Sequence, residues 1–475
     1  MFIFVEHWPP FYFFVIWVYS HFFTSETALR MFSVIMSMGA LAMFYAVALF
    51  FLCRREAVMA VIWMALSPFH VWYAQEARPY STASFLSLTA VYFFLKMIKT
   101  NERKYWFLWI CVMILAVGTS YYCIILFILL GFFFLTKDGF RISFKGFLFF
   151  GMTGVLCVFF SPFLSIISHG QFWLPSPGMR TVLLTPLVFT AGYLAQPVQI
   201  LFGVILCWFL WLRGIFVFWR EDKNKFSFIF YCSILSIFFI FLLSCFGIPL
   251  YLDRQMIIFS PFFLICMVRA VGSITNNFLK SGAILVGVMF VISMIFGYDQ
   301  AKIYCHDNAK GNFYQGVHPK KRYRILMDFV LSNLRPTDKV ITADFQSFAI
   351  ASNALWMKFG SMERNSFVFN QRMMMPFERV NLRLFENLWY RTAVCEADNE
   401  CMAFSFSKNF QKTETVDVFD QRVWFICSSW DFGSPLSENI QFVKELISRK
   451  YKMTMSSEQD GFFIFLYQKI GSIKS

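Results

Sequence analysis

The chain reads as an α-helical polytopic membrane protein followed by a C-terminal soluble α/β domain. Three observations predict this. Of 475 residues, 58% are hydrophobic, above the roughly half expected of a soluble domain. The excess is concentrated in residues 1–298, where apolar runs of about membrane-spanning length alternate with short charged loops. Residues 299–475 have the mixed composition of an ordinary soluble sequence. The predicted domains are therefore 1–298 and 299–475.

Spanning helices are predicted near 27–53, 57–71, 81–98, 104–118, 120–136, 146–167, 199–218, 226–246, 255–272 and 280–297. The cations fall in alternate loops. Arg54 and Arg55 follow the first span, and Lys99, Arg103 and Lys104 the third. Lys137, Arg141 and Lys145 follow the fifth, and Arg213, Arg220, Lys223 and Lys225 the seventh. Arg269 and Lys280 flank the gap after the ninth. Positive loops lie in the cytoplasm, so the other loops and the C-terminal domain are expected outside it. Two further apolar segments, 10–24 and 178–193, would break this alternation as full crossings. They read instead as interfacial or re-entrant helices at the outer surface, each entered through proline (Pro9-Pro10; Pro175-Ser176-Pro177).

The net charge of +14 would suggest nucleic acid in a soluble protein. Here topology accounts for it, and nucleic-acid binding is excluded. Of twelve cysteines, eight lie in or beside apolar runs as small buried residues. Cys305, Cys395, Cys401 and Cys427 lie in the tail without zinc-ligand spacing. Cys395 and Cys401 read either as a bridged pair or as free thiols. No cleavable signal sequence is legible.

In the tail, 320–334, 346–358 and 436–449 have helical patterns. Lys339–Ala343 and Val423–Cys427 read as strands, and Tyr451–Met455 with Phe462–Tyr467 as a hairpin. Alternating strands and helices predict a small α/β layer domain. It has no Gly-rich phosphate loop and no nucleophile elbow, so it reads as a structural or partner-recognising cap.

The chemistry concentrates in the expected outer loops. The stretch from Ser67 to Ser81 holds His70, Trp72, Tyr73, Glu76, Arg78 and Tyr80 between two apolar runs. Ionisable residues within such a chain mark function by default. Glu6, His7, Glu26, His169, Trp173, Asp253 and Arg254 join them, and all six histidines are expected on this side. Transferring a sugar from a phospholipid carrier requires a carboxylate to take the acceptor's proton. It also requires cations to offset the leaving phosphate. Glu6 and Glu76 are the candidate catalytic carboxylates, and Arg78, Arg254 and Arg30 the candidate donor-phosphate contacts. His7, His70, Tyr73, Tyr80 and Trp173 are the candidate substrate contacts. Bland alternatives stand beside them: a Glu76–Arg78 surface pair, an i,i+4 Glu26–Arg30 pair, an Asp253–Arg254 loop anchor, and belt aromatics.

These residues bear a resemblance. The run Ser67-Pro68 to Tyr73-Ala74-Gln75-Glu76-Ala77-Arg78-Pro79-Tyr80 resembles a loop of membrane glycosyltransferases related to protein O-mannosyltransferases and lipid A aminoarabinose transferases. Pro9-Pro10-Phe11-Tyr12-Phe13, Ser25–Ser33, Phe172-Trp173-Leu174-Pro175 and Asp253-Arg254-Gln255 are similar to further elements of that family, in the same order. In the last of these Gln255 stands where the family has tyrosine. The resemblance implies a GT-C fold, a polyprenyl-phosphate-linked sugar donor and inversion at the anomeric carbon. The acceptor it implies is a lipid, glycan or protein at the cell envelope, as in lipopolysaccharide modification or protein glycosylation. The expected location is the outer face of the inner (cytoplasmic) membrane. The resemblance also implies a divalent metal ion, for which Glu6 and His7 are the candidate ligands. The family carries its catalytic aspartate on a loop after one more N-terminal helix. An N-terminally truncated chain is therefore expected, through a late start or as an inactive remnant. A flippase for a lipid-linked sugar is the alternative without bond chemistry. Few mid-span charges and no clear repeat argue against it.

Overall fold

In the computed structural model the described residues are 9–23, 25–137, 151, 154, 177–193, 197–246, 250–276, 281, 282, 284, 287, 288, 329, 332, 333, 339–342, 367–369, 422–428, 451–459 and 462–470. The chain divides into two units, one of Met1–Ile303 with Lys310–His318, the other of Tyr304–Ala309 with Pro319–Ser475.

The first unit is helical. It opens with α1 (Pro10–Ser20), whose proline occupies the first turn where no intrahelical N–H is needed. Then comes α2 (Glu26–Ala48), capped by the Ser25 side chain accepting from the Ala28 N–H. α3 (Arg54–Leu66) and α4 (Pro68–Ala74) follow, then α5 (Tyr80–Thr100), α6 (Arg103–Val117) and α7 (Tyr122–Lys137). Next are α8 (Met179–Ala191), α9 (Pro197–Glu221) and α10 (Lys223–Ile229). α10 runs through a π-helical turn (Phe230–Leu235) into α11 (Ser236–Cys245). A 3-10 turn (Gln255–Ile258) then leads into α12 (Ser260–Gly272).

Four of these stretches are long and apolar enough to cross a membrane: Thr27–Ala48, Tyr80–Thr100, Val198–Glu221 and Lys223–Cys245. α1, α7, α8 and α12 are shorter apolar helices. The protein is a multi-pass membrane protein. Side chains such as Met38, Ile62, Phe107, Leu201 and Phe209 stand exposed on helix surfaces, as a bilayer-facing surface requires.

The structure departs from the single span expected at 57–71. α3 and α4 bend by 60° at Ser67. The cause is Pro68, which drives the preceding residue out of the helical region; Ser67 is extended at φ −63°, ψ 121°. Pro261 lies in the first turn of α12, and Gln255–Ile258 before it form the 3-10 turn. The span expected at 255–272 is therefore α-helical only from Ser260. The expected spans at 146–167 and 280–297 lie almost wholly outside the described residues. The segments expected at 10–24 and 178–193 are present as α1 and α8.

Two residues with positive φ end helices. Asn101 (φ 54°) terminates α5, its N–H bonding the Met97 carbonyl. Gly192 (φ 71°) terminates α8, and a Cβ there would lie 3.2 Å from the Phe69 nitrogen. That close approach seats the end of α8 on the start of α4.

Contacts define two ends of this bundle. At one, the Phe11 N–H bonds the Gly118 carbonyl at 2.8 Å, and the Tyr122 hydroxyl donates to the Leu250 carbonyl. At the other, Arg269 of α12 joins Glu56 of α3 and Glu221 of α9. The Lys225 ammonium meets the Phe51 carbonyl there. The second end carries the basic loops.

The second unit contains a five-stranded sheet in the order β2-β1-β3-β5-β4. Its strands are β1 (Lys339–Thr342), β2 (Phe367–Phe369), β3 (Arg422–Ser428), β4 (Tyr451–Gln459) and β5 (Phe462–Lys469). β1 pairs in parallel with both β2 and β3, and the β4–β5 hairpin adds antiparallel to β3. Parallel pairs need crossover connections, which fits the α/β reading. The hairpin is longer than predicted, because β4 runs through Glu458 and Gln459. Trp424, Phe425, Tyr451, Ile464 and Tyr467 are buried. The helices expected at 346–358 and 436–449, and Cys395 with Cys401, lie outside the described residues. So does nearly all of the helix expected at 320–334, of which residues 329, 332 and 333 are helical.

Candidate functional site

The site grows from the break between α3 and α4. Once Pro68 turns the chain, α4 lasts only to Ala74 and the backbone makes a tight turn through Gln75–Pro79 before α5 begins. The Arg78 N–H bonds the Glu76 carbonyl at 2.8 Å. The Ser81 hydroxyl donates back to the Tyr73 carbonyl at 3.0 Å. That bond ties the first turn of α5 to the end of α4. The whole run is thus a rigid helix–turn–helix, with its charges on the turn and its aromatics below.

The aromatic part is buried. Tyr73 and Tyr80 pack edge to face with ring centroids 4.7 Å apart. Phe69 packs against Tyr73, Phe189 and Tyr193. The Tyr73 and Tyr193 hydroxyls lie 2.9 Å apart and share a hydrogen bond. Above this floor sit the charges. Tyr80 lies in the field of Arg254, Arg78 and Glu76. Arg254 in turn feels Tyr80, Tyr73, Arg78 and Tyr193. Tyr12 of α1 is in the field of Arg78 and Glu76. Residues from α1, the α4–α5 turn, the end of α8 and the 250–254 loop therefore converge. Arg78 is exposed, while Glu76 and Arg254 are half-buried.

The loop bearing Arg254 is pinned along its length. The Ser244 hydroxyl accepts from the Leu250 N–H at 2.9 Å, and Tyr122 holds the Leu250 carbonyl. The Thr185 hydroxyl of α8 lies 2.7 Å from the Tyr251 hydroxyl and 3.2 Å from Asp253 Oδ1. Asp253 is 3% exposed, and burial pushes its carboxyl up to about 7. Burial, and then the nearby Asp253, push the Tyr251 hydroxyl well above its usual range, so it remains a donor.

Of the expected site residues, the structure brings together Glu76, Arg78, Tyr80, Tyr73 and Arg254. His70 differs from the expectation of an outward-facing contact. It is 6% exposed, with Nε2 3.1 Å from Ser260 Oγ. Its ring faces inward because α4 presents Phe69, His70 and Tyr73 to the bundle. Arg30 stands exposed on α2. Glu6, His7 and Trp173 lie outside the described residues. Among the described residues no three His, Cys, Asp or Glu side chains are placed to hold a metal ion, and no chemistry is routed through one. Sequence reasoning missed Tyr193, Thr185 and Tyr122. Thr185 offered only a hydroxyl in an apolar helix, and Tyr122 and Tyr193 only a tyrosine at a helix end.

Residues 7–166 match the family described as dolichyl-phosphate-mannose-protein mannosyltransferase. No curated protein matches the chain. Among solved structures, ArnT from Cupriavidus metallidurans, bound to undecaprenyl phosphate, is similar at 13% identity and a TM-score of 0.55. That likeness covers 99% of this chain and 89% of ArnT. The oligosaccharyltransferase of Archaeoglobus fulgidus is similar at 12% identity and a TM-score of 0.45, over 74% of this chain and 56% of that one. The archaeal oligosaccharyltransferase AglB from Archaeoglobus fulgidus, in complex with an inhibitory peptide and a dolichol-phosphate, gives 12% and 0.48, over 99% of this chain and 67% of that one. The matched region contains α1 to α7 and the charged turn, and the ArnT likeness extends the same fold over nearly the whole chain. The family match is confined to residues 7–166, and the likeness to ArnT shows a shared fold over nearly the whole chain.

Proposed function

We propose that the protein transfers a sugar from a polyprenyl-phosphate-linked donor to a lipid, glycan or protein acceptor at the outer face of the cytoplasmic membrane. The observation that carries this reading is the convergence of Arg78 and Arg254 on Tyr80, from segments far apart in the chain. Two guanidinium groups over a buried aromatic floor suit a phosphate whose lipid tail lies in the bilayer. Arginine's planar fork offers each phosphate two hydrogen bonds. ArnT, which shares the fold, is described with undecaprenyl phosphate bound, which supports a lipid-phosphate donor here.

In this reading the acceptor hydroxyl oxygen attacks the anomeric carbon with inversion. The bond from that carbon to the phosphate oxygen breaks, and its electron pair leaves on the polyprenyl phosphate. Arg78 and Arg254 stabilise the charge that develops on the phosphate. A carboxylate takes the acceptor's proton, with Glu76 in reach of the site and Glu6 the second candidate. Exposed basic loops at the opposite end of the bundle support its cytoplasmic placement, and so an extracytoplasmic site.

The test is transfer by the purified chain in proteoliposomes containing a radiolabelled polyprenyl-phosphate sugar and a lipid acceptor. Arg78→Ala and Arg254→Ala should each lower transfer by about 10- to 100-fold, the value of a charge-assisted hydrogen bond. Transfer at the wild-type rate by both variants refutes the site. Movement of the labelled lipid across the bilayer with no bond cleaved would make the protein a flippase.

A further inference from the structure

We propose that Asp253 is a positioning residue that acts as a neutral acid, donating to Thr185 Oγ1 and thereby fixing the turn that presents Arg254. The inference rests on reading Arg254 as a donor-phosphate contact.

The argument begins with one proton. Thr185 Oγ1 lies 3.0 Å from the Thr181 carbonyl, 2.7 Å from the Tyr251 hydroxyl and 3.2 Å from Asp253 Oδ1. A threonine hydroxyl has one hydrogen to give and two lone pairs to receive. The Thr181 carbonyl can only accept. If Thr185 donates there, the Tyr251 and Asp253 contacts must both be donations to Thr185. Tyr251 meets that condition as a phenol. Asp253 meets it only when protonated.

The surroundings favour that form. Asp253 is buried and no cation pairs with it among the described residues. The neighbouring Arg254 forms no ion pair with it, and its charge acts on Tyr80 and Tyr122. The titratable groups facing Asp253 are Tyr251 on its own loop and Tyr122 on α7; α8 contributes the neutral Thr185. Both phenols stay neutral and bring no positive charge to hold a carboxylate there. An ionised carboxylate would have to compete with the Thr181 carbonyl for the single Thr185 proton.

The function follows from the chain's connectivity. Residues 250–252 are irregular and 253–254 form a turn in which the Gln255 and Met256 N–H groups donate to the Leu252 carbonyl; side-chain bonds at Leu250, Tyr251 and Asp253 hold the segment against its neighbours. Arg254 is the next residue, and its charge acts on Tyr80. Losing the Asp253 bond loosens the anchor adjacent to the cation.

The experiment is binding of undecaprenyl phosphate to the purified chain in detergent, from about pH 6 to about pH 8. It compares wild type with Asp253→Asn, Thr185→Val and Arg254→Ala. The lipid's own ionisation is common to every arm. The amide of Asp253→Asn donates at every pH, so this variant should hold the wild-type affinity of the acid side throughout. Wild type should weaken by about 3- to 10-fold relative to it on the alkaline side, the value of one net hydrogen bond. Thr185→Val should be weak and without that pH step, and it carries the test if Asp253→Asn does not fold. Superimposable pH profiles for wild type and both anchor variants, with Arg254→Ala defective, overturn the role of Asp253 alone. Wild-type binding by Arg254→Ala overturns the phosphate-contact reading on which the role rests.

Discussion

The Ser260 hydroxyl donates its single proton to the Ile257 carbonyl at 2.7 Å, so it receives the Nε2–H of His70 at 3.1 Å. The pair fixes one tautomer of a buried, neutral imidazole and joins α4 to the start of α12. His70 is thus part of what holds the break at Ser67-Pro68 in place, directly beneath the charged turn.

Ser260→Ala leaves that N–H buried without its acceptor. The expected loss is about 1–3 kcal/mol of stability, read as a lowered unfolding midpoint in detergent. The double change Ser260→Ala with His70→Leu removes both partners and should recover part of it. A double variant less stable than Ser260→Ala would show that the ring matters for its volume instead.

The Arg269 cluster should respond unevenly. Glu56 is 10% exposed by side chain and Glu221 44%. Glu56 also accepts from the Cys53 N–H at 3.2 Å, capping α3. Arg269→Met strands a largely buried carboxylate, and should cost about 3–5 kcal/mol. Glu221→Gln weakens an exposed pair, and should cost under about 1 kcal/mol. Thermal unfolding of the two variants tests the ranking, and equal losses would contradict it.

Close backbone packing sets a third expectation. A Cβ on Gly214 would lie 1.9 Å from the Cys266 carbonyl oxygen. α9 and α12 meet there backbone to backbone, the contact that small residues permit between membrane helices. Gly214→Ala must separate the two helices, at a cost of about 1–3 kcal/mol or more. Gly178, with nothing within 4 Å of its would-be Cβ, should accept alanine within about 0.5 kcal/mol. Comparing their unfolding midpoints tests the contact.

The charged turn was legible because glutamate, arginine and proline stand out against apolar sequence. The same contrast marked Asp253-Arg254. What joins them was not legible. Tyr73 with Tyr193, and Thr185 with Asp253, meet across 120 and 68 residues, and no local pattern encodes such pairs. His70 reads as an interfacial residue by type, but the face of α4 it occupies is set by the bend at Pro68. The bend was itself hidden inside a continuous apolar run. In the tail, β1, β3 and the hairpin were legible from β-branched and aromatic runs. β2 is three residues long and carries too little pattern to be seen.

The buried acid at 253 predicts how stability changes with pH. Its carboxyl is raised from 3.8 in the free state to about 7 in the fold by burial. Between those values the folded protein binds a proton that the unfolded chain has released. Stability from this group is therefore full below about pH 4, falls as pH rises toward 7, and is flat above it. The loss is on the order of a few kcal/mol. Asp253→Asn cannot ionise and should abolish this segment of the curve, crossing above wild type on the alkaline side. Unfolding midpoints of both proteins between about pH 5 and about pH 8 test it. Parallel curves would mean that Asp253 is already ionised in the fold and that Thr185 donates to it.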